Sequence, residues 1–384
     1  MKKHYLTGAR VVLRDRVLED SSVLIEDDRI SAINPEFCNG ATTIDMMGKT
    51  LIPGIIDLHC DALEKEVEPR PNVHFPLDFA CAQADKRNAT AGVTTVYHAL
   101  SFANEELGVR NNAFAAAVAH AVHEWNPHGL VDNRVHCRYE VTDPAAPDVL
   151  MQLMDNDEMH LLSVMDHSPG QGQFKDIAAF RDYLSRTYRK SEAELDTLVQ
   201  KKLAQAEGAM ERICSLINAA NNKGIHVASH DDDTPEKVET LSALGVGISE
   251  FPINLEAALA ARDRGMRTIF GAPNVLRGKS QSGAIRALDA VKAGVADCLC
   301  ADYHPATLLA AVFRLPELAG IDLADAVRLV SFNPAQAAGF DDRGEIAIGK
   351  RADLTAVSHI NGIVQASSVY CGGKLVYEAR FDHG

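Results

Sequence analysis

The chain has 384 residues, 46% of them hydrophobic, and carries 38 basic against 53 acidic side chains for a net charge of −15. That balance excludes broad affinity for nucleic acid or anionic lipid, although a local basic pocket for a small anion stays compatible with an acidic exterior. No stretch approaches the roughly 18 apolar residues a membrane span needs, so an enzyme-sized cytoplasmic globule is expected.

The first segment, "MKKHYLTGARVVLRD", has two lysines but no apolar run behind them, which argues against a signal peptide. Residues 5–50 then read as short strands, because "ARVVLRD" and "SSVLIEDDRISAI" alternate apolar and polar positions, with "EDDR" as a tight turn. The far end behaves alike, where "ADLTAVS" and "SSVYCGGKLVYEAR" surround a Gly-Gly turn. Two strand-rich ends around a different middle predict a small β-sandwich built from residues 1–51 and 345–384, flanking a catalytic domain over 52–344.

The middle alternates apolar runs with helical segments. The runs are "LIPGIIDLHCD", "GVTTVYHALSF", "NRVHCRYEVTD", "MHLLSVMDHSP", "GIHVASHDDDT", "GVGISEFPIN", "RTIFGAPNVLRG" and "ADCLCADYHP". Several stay apolar until their last residues, as parallel strands covered on both faces do. Between two of them "NLEAALAARDRG" is a helix, with Asn254 as N-cap and Gly265 just past its end. After the fourth run, Phe174 to Lys223 leaves room for two or three further helices, with Ser191 and Glu194 as a capping-box pair. Eight such units predict an α/β fold of the (β/α)₈ type. An open doubly wound sheet is disfavoured by the lack of a G-x-G-x-x-G turn after any strand. Eight cysteines, at 38, 60, 81, 137, 214, 298, 300 and 371, form no C-x-x-C pair and read as reduced packing thiols.

Polar residues gather at the C-terminal ends of the runs: His59 and Asp61, Asp166 and His167, His230 with Asp231 to Asp233, Glu250, then Asp302 and His304. In a barrel those ends share one mouth. One such residue is commonly a helix cap or solvated loop group, but five strand ends bearing acid or imidazole would repel unless cations held them. His59 and Asp61, two apart, point the same way on an extended strand, while Cys60 between them faces the opposite side and packs. With His230 and acidic partners they offer mixed nitrogen and oxygen ligands, suited to one or two divalent ions such as zinc, manganese or iron. Between Asp166 and His167 the spacing does not choose a ligand. His304 reads as an outer contact to ligands or substrate, or as a surface residue.

"IPGIIDLHCD", the strand-end ligands, "ADYHP" and "SFNPAQAAGFDDRGEIAIGKRADL" together resemble the amidohydrolase superfamily, over nearly the whole chain. The resemblance implies a metal-dependent barrel, a β-sandwich from both termini, and Asp302 as metal contact and proton acceptor for the attacking water. Asp61 and Glu250 stand where that superfamily has histidines. This substituted set, with "LEKEVEPRP", "MDHSPGQ", "SEFPINLEAA" and "GAPNVLRGKSQSG", looks like the diphosphatase branch that serves carbon–phosphorus bond cleavage. It implies hydrolysis of a phosphorylated sugar's triphosphate with release of pyrophosphate. Metal neutralises only the oxygens it touches, so the remaining phosphate charge calls for basic groups. Lys65 and Arg70 behind the first strand, and Arg277, Lys279, Ser280 and Ser282 behind the seventh, are the candidates. Barrels of this type often form homodimers, which is the assembly expected. Two other readings stand beside this one: hydrolysis of C–N bonds, which the missing His-x-His opposes, and a metal-poor scaffold, which the surviving ligands oppose.

Overall fold

The structure, a computed structural model, describes residues 3–103, 111–166, 204, 207–280 and 283–381. The alternating N-terminal segment forms β1 (Lys3–Val12), β2 (Val17–Glu26) and β3 (Arg29–Ile33). The "EDDR" turn closes the second hairpin, with Glu26 paired to Arg29 and Asp27 at φ +53°. β4 (Thr42–Asp45) and β5 (Thr50–Pro53) run parallel to β1, one along its first half and the other along its second.

"LIPGIIDLHCD" does not stay one strand. It breaks at Gly54, with β5 in the terminal sheet and β6 (Ile55–Cys60) in the barrel. Only glycine fits at this crossing, because a Cβ there would run into the Thr94 side chain.

The remaining runs form β7 (Val93–Phe102), β8 (Asp132–Glu140), β9 (Leu161–Met165), β10 (His226–His230), β11 (Ile248–Glu250), β12 (Arg267–Gly271) and β13 (Cys298–Cys300). β6 to β13 pair in sequence order, all parallel, as a right-handed βα succession requires. The seam between β13 and β6 closes through Asp302 N–H to the His59 carbonyl (3.0 Å), Asp61 N–H to the Asp302 carbonyl (2.6 Å) and Ala301 N–H to Asp57 Oδ1 (3.0 Å). Inside the ring Ile56, Leu58, Tyr97, Leu161, Ile248 and Ile269 pack into one apolar cluster, so the barrel is filled below its mouth. Between strands, the helix Leu255–Asp263 starts at Asn254, whose side chain accepts from Ala257 N–H at 2.8 Å, and Gly265 follows its end at φ +75°. Ser191 and Glu194 lie outside the described residues.

β14 (Leu354–Ile360), β15 (Ile363–Cys371) and β16 (Lys374–Glu378) return to the terminal sheet, β14 pairing antiparallel with β5. The sheet runs β16-β15-β14-β5-β1-β2-β3, with β4 also on β1, around a core that includes Leu6, Ile25, Leu51, Leu354 and Tyr370. Gly372 and Gly373, at φ +54° and +71°, make the turn between its last two strands, which needs positive φ at both positions. None of the eight cysteines is disulfide-bonded, and among the described residues no helix is long and apolar enough to cross a membrane.

β8 and β9 are joined at their starts by a reciprocal pair: His160 N–H donates to the Val135 carbonyl at 2.9 Å, and Val135 N–H donates to His160 Nδ1 at 3.1 Å. An accepting Nδ1 requires a neutral ring, and burial, helped by the nearby Arg134 charge, pushes the His160 pKa down to about 4. A folded-state pKa below the unfolded value contributes stability that is complete above about pH 6.5 and is lost as pH falls through the folded value. His160→Asn should therefore lower stability by about 1–2 kcal/mol at pH 7.5, and that gap should shrink steadily toward pH 4.5. Urea unfolding of both proteins across the range measures it; a gap independent of pH would refute the assignment.

Candidate metal centre

His59 occupies the end of β6 and Asp61 follows two residues later, so the pair meets on one side of the chain, with His59 Nε2 3.4 Å from Asp61 Oδ1. The other ring nitrogen, Nδ1, lies 3.1 Å from Glu250 Oε1 at the end of β11. Register brings His230 alongside Glu250, because β10 and β11 pair at those residues. His59, His230 and Glu250 are all buried and each offers a ligand atom within 4.8 Å of the others. Cys60, between the two first-strand groups, instead packs among the surrounding helices.

Three residues at these strand ends adopt the left-handed conformation: Asp231 (φ +54°), Phe251 (+52°) and Asp302 (+55°). Such a conformation costs roughly 1–3 kcal/mol per non-glycine residue and persists only where its surroundings dictate it. Here backbone bonds do so, from Asp231 N–H to Glu250 O, from Phe251 N–H to Ile269 O and from Asp302 N–H to His59 O. The strained turns end the strands at the mouth.

Burial opposes ionisation of Glu250, yet the His136 and His59 rings beside it hold its carboxyl well below the usual range. Burial pushes the His136 pKa down to about 3, so near neutral pH the countercharge resides on His59. Burial alone would lower His59 as well, but the charges of Glu250 and Asp61 carry it up to about 10. Desolvation, reinforced by the Asp61 charge, raises Asp302 to about 6, which brings a carboxylate close to the range of an effective proton acceptor. His230 is kept neutral by burial, with Nδ1 turned to Asp231 Oδ1 at 3.3 Å.

The donor set fits a divalent cation. His136 places Nδ1 3.1 Å from the Leu58 carbonyl and so bears its lone pair on Nε2. That atom is buried without a hydrogen-bond partner among the described residues, 3.7 Å from Glu250 Oε2. Two electron-rich atoms facing each other, beside the His59 and His230 imidazoles and the Asp61 carboxylate, form the environment that a cation relieves.

Residues 50–376 match the amidohydrolase family model. The chain belongs to the amidohydrolase family. It is 33% identical over 380 residues to the alpha-D-ribose 1-methylphosphonate 5-triphosphate diphosphatase of Escherichia coli (strain K12), covering 97% of this chain and 100% of that one. Among solved structures, N-acetylglucosamine-6-phosphate deacetylase from Pasteurella multocida is similar with a TM-score of 0.65 at 14% identity, over 97% and 99% of the two chains. Dihydropyrimidinase from Brevibacillus agri NCHU1002 has a TM-score of 0.57 at 15% identity, over 98% and 95%. At such identities these two structures speak for the fold alone.

In this amidohydrolase the remaining predicted site residues separate. Asp302 joins the centre through the β13–β6 seam. Asp166 directly follows β9, half-buried, outside the trio that meets within 4.8 Å; His167 and Ser282 lie outside the described residues. Asp232 clamps β10 to β11, its Oδ2 accepting from Ser229 Oγ at 2.6 Å and Ser249 Oγ at 2.5 Å. The Asp233 carbonyl accepts from Asn254 Nδ2.

The basic residues stand differently from the expected loops. Lys65 is on a helix, Ala62–Val67, and is exposed, as is Arg70. Arg277 is also exposed and ends a helix, Ala272–Arg277, its Nη1 3.4 Å from the Tyr303 hydroxyl. The Gly278 N–H is taken up by that helix, donating to Asn274 O at 3.0 Å, so it is not open to phosphate. Lys279 is exposed and Ser280 half-buried. His304 is exposed in the turn after β13, where its backbone rather than its ring makes hydrogen bonds.

Three contributors escaped the sequence reading. His136 and Arg138 on β8 reach the same centre, and Ser163 on β9 donates to Glu250 Oε2 at 2.8 Å. His136 and Arg138 show the same two-residue spacing that marked His59 and Asp61, within a run ("NRVHCRYE") whose polar residues sit mid-strand rather than at its end.

Replacing Glu250 by glutamine keeps the shape but removes the shared anion. Metal affinity should fall by at least the 10–100-fold typical of losing even an outer contact. Elemental analysis after gel filtration gives the readout, and an undiminished metal content would exclude Glu250 from the centre.

Proposed function

We propose that this chain is a metal-dependent diphosphatase that hydrolyses the triphosphate of alpha-D-ribose 1-methylphosphonate 5-triphosphate and releases pyrophosphate, in phosphonate metabolism. The observation that carries this reading is the match to the E. coli enzyme of that name, 33% identical over 97% of this chain and 100% of that one. The carboxylate-rich centre supports it. Asp61 and Glu250 bring negative charge where the superfamily pattern has neutral imidazoles, and so favour hard, oxygen-seeking cations that also bind phosphate.

In this reading His59, Asp61, His230 and Glu250 hold one or two divalent ions, zinc, manganese or iron, with Asp166 or His167 as a further ligand. Such an ion lowers the pKa of water and neutralises charge on phosphoryl oxygens. Asp302, raised to about 6, takes the proton from the attacking water and returns it to the departing pyrophosphate. Ser163 holds Glu250 in place through its hydroxyl. Lys65, Arg70, Arg277, Lys279 and Ser280 serve as phosphate contacts at the rim, with His304 beside them, where exposed side chains can follow a charged tail. The substrate is a small phosphorylated sugar, and the setting is cytoplasmic, in a homodimer.

Purified protein given this triphosphate with Mn²⁺ or Zn²⁺ should release pyrophosphate, stop after dialysis against EDTA and recover when metal is restored. Asp302→Asn should lower kcat by about 10²–10⁴-fold, the usual contribution of a positioned acid or base. Opening of a cyclic amide while every triphosphate stays intact would overturn the proposal in favour of C–N hydrolysis.

A further inference from the structure

Among the described residues Arg138 is the arginine or lysine buried within the centre itself. It projects from β8 and is 7% exposed, whereas Lys65, Arg70, Arg277 and Lys279 are all exposed. Lys237, another cation near the centre, is tied to the carbonyls of His230 and Asp231 and lies 3.8 Å from Asp232 Oδ1. The Arg138 guanidinium spans two of the metal-binding candidates. Nη1 donates to Asp61, 3.2 Å from Oδ1 and 3.4 Å from Oδ2, and Nη2 lies 3.3 Å from His230 Nε2. Its Nε is buried with no hydrogen-bond partner among the described residues.

A buried N–H with no acceptor is costly, by an amount comparable to a lost hydrogen bond. The neighbouring contact is no more secure. A neutral imidazole has a single lone pair, and with Nδ1 turned to Asp231 that lone pair is on His230 Nε2. It can serve Arg138 or a cation, but not both. Once His230 serves as a ligand, Nη2 loses its acceptor and joins Nε, which already lacks one. Nε and Nη2 form one edge of the guanidinium, with two parallel N–H bonds of the spacing that matches two oxygens of a phosphoryl group. Nη1 stays anchored on Asp61, so the edge is held without reorganisation.

We propose that Arg138 is a phosphoryl-binding residue, its Nε–Nη2 edge gripping two oxygens of the substrate's triphosphate at the metal centre. This rests on the diphosphatase reading and adds to it a residue buried in the mouth, in contrast to the exposed basic side chains at the rim. The alternative role is a strut that holds Asp61 and His230 in position for metal.

The test uses metal-loaded wild type, Arg138→Lys and Arg138→Gln, with inorganic tripolyphosphate as the probe in titration calorimetry. Elemental analysis, melting temperature, kcat and KM accompany it. Arg138→Lys keeps the charge beside Asp61 but loses the paired edge, so it decides the matter even where Arg138→Gln does not fold. The expected result is unchanged metal content, a loss of about 10–100-fold in tripolyphosphate affinity and a matching rise in KM. Affinity within twofold of wild type at full metal content would overturn the proposal. So would parallel loss of metal and affinity, which marks a strut. Wild type that neither binds tripolyphosphate nor releases pyrophosphate would overturn the diphosphatase reading, and this one with it.

Discussion

A carboxylate with no exposed surface at the centre of a protein must be met by positive charge or by donors, because desolvating an unpaired anion costs several kcal/mol or more. Glu250 is that carboxylate, and the mouth of the barrel is arranged around it. His59 stands on one of its oxygens and Ser163 donates to the other, with the His136 ring 3.7 Å away. Glu250 and these neighbours come from four different strands, β6, β8, β9 and β11, so they converge only when the barrel is closed. Charge balance and fold closure are one condition here.

The closure itself runs through the chemistry. β13 is only three residues long, and its pairing to β6 beyond them is made by the backbones of His59, Asp61 and Asp302 together with the Asp57 carboxylate. The residues that seal the ring thus include two of the proposed ligands, His59 and Asp61, with the proposed proton acceptor and the buried acid behind them. Any shift of that seam moves Asp302 relative to His59. The left-handed turns at Asp231, Phe251 and Asp302 add to this economy, since each is held by a backbone bond to the adjacent strand. Strain of this kind is tolerated because the neighbouring strands leave no other course.

Positive charge is distributed in two tiers. The rim bears exposed lysine and arginine, whose attraction for an anion is weakened by solvent and salt. The buried tier is Arg138, shielded from water and fixed by Asp61. An overall charge of −15 disfavours unspecific anions, while Arg138 supplies a local positive charge in the mouth.

Much of this was readable from the chain alone. Apolar runs ending in acid or imidazole identified the eight parallel strands and their shared mouth, because strand periodicity and the covered faces of a parallel sheet are local properties written in residue order. His59, Asp61, His230, Glu250 and Asp302 were legible for the same reason, each standing where a run stops. His136, Arg138 and Ser163 were not, since they sit inside strands where a polar residue looks like any other until its partner across the ring is known. The basic residues were legible only as near neighbours in the chain: short helices, not loops, carry Lys65 and Arg277, on exposed positions. The sequence by itself determined the barrel, its strand ends and the types of side chain gathered there. Only the tertiary structure decided which of those groups meet, because contact across a closed ring depends on register and closure, which no single segment encodes.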